Sequence, residues 1–180
     1  MYYTETMENL TDLRPAVGEA APEITALYET HYADVYRAAL RITGNPADAE
    51  DVLQTVFLRI LGTSARGEEL PAVRNPEAWL RRAACNAAID ILRRRAVRAE
   101  APIDGGTHLK LVKSPDTLLK EQLRSAIAAL DAEDAELFSL RYIEGFSNGE
   151  LADIFHQEKN NIAVRLHRIR QLLQASLFSG

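Results

Sequence analysis

One cysteine, Cys85, is all the chain has, so neither an internal disulfide nor a cysteine-cluster zinc site can form. It sits among alanines, where a small buried thiol packs well. Long apolar runs are missing too: none approaches the roughly 18 residues that a membrane span needs, and no membrane insertion is expected. The opening stretch MYYTETMENLTDLRP is acidic and polar where a secretory signal would be basic and then apolar, so a cytoplasmic location is expected. Alternating strand patterns are absent and the β-branched residues are scattered, which argues against β architectures. No nucleophile has a base at sensible spacing, no glycine-rich loop could cradle a phosphate, and no pair of carboxylates marks a cleft. The four histidines, His31, His108, His156 and His167, have no metal-ligand arrangement. Neither enzyme activity nor a cofactor or metal is therefore expected.

What is present suffices for a packed protein. With 180 residues, 47% hydrophobic and 26% charged, the chain can bury the core of one ordinary domain or two small ones. The net charge of -5 argues against bulk nucleic-acid binding, but the charge lies in blocks. Between Trp79 and Arg98 there are six arginines against the single acid Asp90. Between Asp116 and Glu158 the acids outnumber the bases ten to three. The end of the chain turns basic again with Lys159, Arg165, Arg168 and Arg170.

Nearly everything in the pattern is helical. Residues 1–21 read as a loose arm punctuated by Pro15 and Gly18, and a first helix spans about Ile24 to Thr43, where GNP stops it. The second, Pro46 to Leu61, carries Ala49, Val52, Leu53, Val56, Phe57, Ile60 and Leu61 at helical spacing, which makes that stripe core. After the loop from Gly62 to Arg74, Asn75 caps and Pro76 opens an arginine-rich helix. Residues 96–115 contain Pro102, DGG and Pro115 without a sustained period and read as a flexible linker. The expected fold is all-α: a helical domain over 22–95, the 96–115 linker, and a second helical domain over 116–180. With little for the linker to pack against, the two halves are expected to move independently.

The second half ends in a helix-turn-helix pattern. Ser147 and Glu150 have capping-box spacing before a short helix, HQEK turns the chain, and a long last helix follows with Ile162, Leu166, Ile169 and Leu173 on one face. Its other side carries Asn160, Asn161, Val164, Arg165 and Arg168, beside Lys159. Asparagine can pair with adenine, arginine with guanine or phosphate, and a helix N-terminus attracts phosphate. A second stripe lies on the Pro46–Leu61 helix: Asp51, Gln54, Thr55 and Leu58, away from the core face. An exposed leucine ringed by carboxylate and amide suits docking on another helix.

The blocks NPADAEDVLQTVFLRIL, NPEAWLRRAACNAAIDILRRR, LRYIEGFSNGELADIF and VRLHRIRQLL, in that order, closely resemble the extracytoplasmic-function group of bacterial sigma factors over about residues 24–175. The resemblance implies a transcription initiation factor whose region 2 binds core RNA polymerase and the minus-ten promoter element, and whose region 4 grips the polymerase flap and the minus-thirty-five element. It assigns Asp51, Gln54, Thr55 and Leu58 to polymerase. Arg74, Trp79, Asn86, Asp90, Arg93 and Arg94 fall at minus-ten positions, with Trp79 mainly a packing residue, and the Gly62–Arg74 loop lies where a flipped-out base is held. Lys159, Asn160, Asn161, Val164, Arg165 and Arg168 fall at minus-thirty-five positions. An anti-sigma factor, commonly wedged between the halves in this group, is the further partner it implies. Two departures stand out: His156 and Gln157 replace a glycine and an isoleucine common in the turn, which predicts a distorted turn or a rotated last helix, and Ala163 replaces a common basic residue, which predicts one phosphate contact fewer. Two alternatives stand beside this reading: a polymerase-independent helix-turn-helix regulator, and a sigma-like interaction module that binds polymerase or an anti-sigma factor without reading DNA.

Overall fold

The computed structural model describes residues 22–65, 75–100 and 114–178. The 1–21 arm, Arg74 with most of its loop, and residues 101–113, including His108, lie outside the described residues. Seven helices are present among the described residues: α1 (Pro22–Thr43), α2 (Pro46–Ala65), α3 (Pro76–Glu100), α4 (Pro115–Ala129), α5 (Ala132–Tyr142), α6 (Asn148–Phe155) and α7 (Lys159–Phe178).

Helix starts are set by short polar side chains that accept from exposed backbone N–H groups. Asn45 accepts from Asp48 at 3.2 Å, Asn75 from Ala78 at 3.0 Å and Asp131 from Asp134 at 3.2 Å. At α6 the Ser147–Glu150 capping box is complete in both directions. Two helices run past the bounds expected from sequence. The second continues through Gly62 to Ala65, because one glycine costs only about 1 kcal/mol in a helix that Leu61 still anchors on the core. The arginine helix continues through the first residues of the expected linker to Glu100, because nothing from Ala96 onward breaks it before Pro102 and Ala96 packs on the core.

The first half is a three-helix bundle in which α1, α2 and α3 pack on one another. The expected α2 stripe is its wall: Ala49, Val52, Leu53, Val56, Phe57 and Ile60 are buried against Val35, Ala39 and Ile42 of α1 and Leu80 and Ala84 of α3. Each large apolar side chain so buried contributes about 1.5–3 kcal/mol. In the second half, Ile162, Leu166, Ile169 and Leu173 are all buried, so α7 presents its apolar stripe inward as the pattern predicts. The unusual turn does not rotate it. His156 takes the left-handed conformation, φ 52° and ψ 44°, that a glycine would adopt there, and Gln157 donates to the Ala152 carbonyl at 3.0 Å.

The halves are not apart. α3 packs on α1 and α2 with one side and on α4 and α5 with the other, and a single cluster of buried residues runs through both halves. Small residues make this possible: Ala84, Cys85, Ala87 and Ala88 are buried on α3, which has no single apolar stripe because it serves two neighbours. A linker with nothing to pack on predicts independent halves. The described conformation is closed instead, because the surfaces that meet are complementary in charge as well as shape.

Candidate nucleic-acid and polymerase interfaces

The stripe assigned to polymerase stands open. Asp51, Gln54 and Leu58 are exposed on α2, Leu58 to 50%, and Thr55 is half-buried beside them. These four residues line one wall of a groove whose other wall is α3, with Ile91, Arg94 and Arg98. An apolar centre edged by acids on one side and arginines on the other can take a helix with charges of both signs. Arg94, placed by sequence with the minus-ten residues, belongs to this groove. One residue step turns a helix by about 100°, so Arg94 points away from Arg93. Its Nε donates to the Asp90 carbonyl at 3.3 Å, while the neighbouring Arg95 pairs with Asp48 on α2.

The other minus-ten positions behave differently. Trp79 is partly buried and packed on the core, and Asp90 is exposed. Asn86 and Arg93 instead face the second half. Asn86 Nδ2 donates to Glu136 Oε1 at 3.0 Å, and the same oxygen accepts from Arg82. Arg93 Nη2 donates to the Leu130 carbonyl at 3.0 Å and Nε to the Ala128 carbonyl at 3.4 Å. A guanidinium there satisfies the free carbonyls and the negative dipole end of α4.

Sequence reasoning missed the residues that complete this seam. Glu144, whose side chain is 0% exposed, accepts a fork from Arg41, Nε at 2.9 Å and Nη2 at 2.8 Å, and a third bond from Arg81 Nε at 3.0 Å. Arg81 also donates to the Glu144 carbonyl. The bonds to Glu144 raise the Arg41 pKa above its ordinary value, with burial pulling the other way. The guanidinium of Arg81 lies 4.8 Å over the Phe146 ring and that of Arg82 5.4 Å over Phe155. Gly145, at φ 80°, turns the chain so that Phe146 can donate back to the Leu140 carbonyl at 3.0 Å, which sets Glu144 and Phe146 on the seam. The only sequence signal was the pair of opposed charge blocks. Cys85 is buried at the same seam beside Ser139, and burial first, then Glu136 and Glu144, push its thiol far above the usual range.

On α7, Lys159, Asn160, Asn161, Val164 and Arg168 are exposed on one face, Val164 to 60%. Arg165 sits lower, bonded to Asp134 on Nε and to Glu133 at 3.0 Å on Nη1. Burial lowers its pKa, but the bonds to Asp134 and Glu133 outweigh that and raise it. Both acids lie in the first turn of α5, so Arg165 ties the last helix to α5. No helix among the described residues is long and apolar enough to cross a membrane.

Comparison with known proteins agrees with this geometry. Residues 27–98 match the model of Sigma-70 region 2, which is the α1–α3 bundle, and residues 120–173 match that of Sigma-70, region 4, which is most of α4–α7. The ECF RNA polymerase sigma factor SigL of Mycobacterium tuberculosis is 31% identical over 89% of this chain and 93% of its own length. SigE of Mycolicibacterium smegmatis is 32% identical over 86% of this chain, which spans 62% of that protein, and SigM of Bacillus subtilis is 29% identical over 84% of this chain and 93% of its own. The chain belongs to the extracytoplasmic-function RNA polymerase sigma factors, and it is a transcription initiation factor.

Proposed function

We propose that this sigma factor docks on core RNA polymerase through the α2–α3 groove and divides promoter reading between its halves. Asp51, Gln54, Thr55 and Leu58, with Arg94 on the facing wall, make the polymerase contact. Asn86, Arg93 and the Gly62–Arg74 loop act at the minus-ten element where strands separate. The exposed face of α7, from Lys159 to Arg168, reads duplex DNA at the minus-thirty-five element. The observation that carries this reading is Leu58: a half-exposed leucine on a helix whose stripe from Ala49 to Ile60 is buried, set among Asp51 and Gln54 in a groove. An anti-sigma factor is the regulatory partner, and the complex works in the cytoplasm.

The division of labour has a direct test. Arg168→Ala should weaken holoenzyme binding to duplex promoter, lowering the salt slope by about 0.9 for one phosphate contact, and leave initiation on a pre-melted bubble template near normal. Asn86→Ala should do the reverse. Equal losses on both templates for both variants would contradict the two-site reading, and a regulator that works without polymerase has no reason to distinguish the templates.

A further inference from the structure

We propose that the seam between the halves is an intramolecular latch in which the acidic second half occupies the arginines and asparagine of α3 in place of promoter DNA, while the polymerase groove stays open. The inference rests on the functional reading above for the identity of the DNA-facing residues. It rests on the seam itself for everything else.

The chemistry of the seam is that of a phosphate site. A guanidinium that forks onto a carboxylate uses the donors it would offer to a phosphate, and it cannot serve both in one geometry. Glu144 holds the fork of Arg41 and, with one carboxylate oxygen and its own carbonyl, Arg81; Glu136 holds Arg82 and Asn86, and the carbonyls of Ala128 and Leu130 hold Arg93. Glu136 and Glu144 bond across the seam to first-half residues, so the two acids link the halves rather than bracing their own. Asp51, Gln54 and Leu58 are exposed in the same conformation. The closed chain can therefore meet polymerase first, and promoter DNA gains Asn86 and Arg93 only once the seam opens.

Cys85, the only cysteine, reports the seam without any engineered label. In the closed chain it is buried and its thiol is held protonated, so a maleimide reacts slowly; opening removes Ser139, Glu136 and Glu144 from its surroundings and restores both access and thiolate. The test compares the full wild-type chain with Glu136→Gln/Glu144→Gln, with Arg41→Gln as a second variant that loosens the seam from the other side, and with Asp116→Asn/Asp153→Asn, which removes the same charge from exposed positions. Circular dichroism establishes that each is helical. The seam variants should label at Cys85 about tenfold faster or more and scatter as larger particles, as loss of a buried ion-pair partner requires. The first of them should bind a short bubble duplex, without polymerase, more tightly than the control of equal charge.

Helical seam variants that keep both the wild-type labelling rate and the wild-type size would overturn the latch, as would a wild-type chain that labels as fast as its urea-unfolded form. Faster labelling with DNA affinity equal to the control would overturn the claim that the seam masks DNA. Labelling and scattering use no polymerase, so failure of the chain to bind core enzyme would count against the functional reading alone.

Discussion

The guanidinium of Arg124, on α4, fills the space beside Gly44, at the end of α1: a Cβ on Gly44 would stand 2.0 Å from Arg124 Nη2. Arg124 Nε donates to the Ile42 carbonyl at 3.0 Å, and Gly44, at φ 65°, donates to the Leu40 carbonyl at 2.8 Å. Each half thus caps a helix C-terminus of the other, Arg124 on α1 and Arg93 on α4. Gly44→Ala should therefore cost about 1–2 kcal/mol from the left-handed backbone alone and more because Arg124 must leave. In an Arg124→Ala background only the backbone cost should remain. Urea denaturation of the four chains measures the coupling; additive losses would show that the Arg124 contact does not depend on Gly44.

His156 pays the same kind of backbone cost in the turn before α7. It is exposed and holds φ 52°, so replacing it with glycine removes strain without removing packing. His156→Gly should stabilise the protein by about 1 kcal/mol, seen as a higher urea midpoint. A lower midpoint would mean that the imidazole makes a contact that outweighs the strain.

Glu150 links pH to the start of α6. Its carboxylate accepts from the Ser147 backbone N–H at 2.8 Å, and that bond, with the Ser147 side chain next, holds its pKa below the ordinary glutamate value. A lowered carboxylate pKa adds stability that is present above the ordinary value and lost as pH falls through the lowered one. Wild type should therefore exceed Glu150→Gln in stability at neutral pH, with the gap closing in acid. A gap that widens in acid would have the wrong sign.

Much of this was legible in the sequence because local chemistry decides it. The α2 stripe from Ala49 to Ile60, the caps at Asn75 and Ser147, and the inward face of α7 follow from spacing alone, and the tertiary contacts only ratify them. Leu58 stood out for the same reason, as an apolar residue off the core stripe. What spacing could not supply was the partner of each charge. Arg41 and Glu144 are 103 positions apart, and nothing local couples them. The resemblance puts Arg93, in the arginine block of α3, at promoter DNA, whereas in the closed chain Arg82 and Arg93 face Glu136 and the carbonyls at the end of α4. The same resemblance groups Arg94 with Arg93, and one helical step turns its side chain toward the α2–α3 groove.

The α2–α3 groove is the surface on which polymerase binding is most directly tested. Leu58→Asp should leave the melting temperature of the free chain nearly unchanged, since Leu58 is half exposed and off the core stripe, and should abolish both co-purification with core RNA polymerase and transcription from a promoter that wild type serves. Undiminished binding by a folded Leu58→Asp chain would contradict the assignment of this groove as the surface through which the sigma factor meets polymerase.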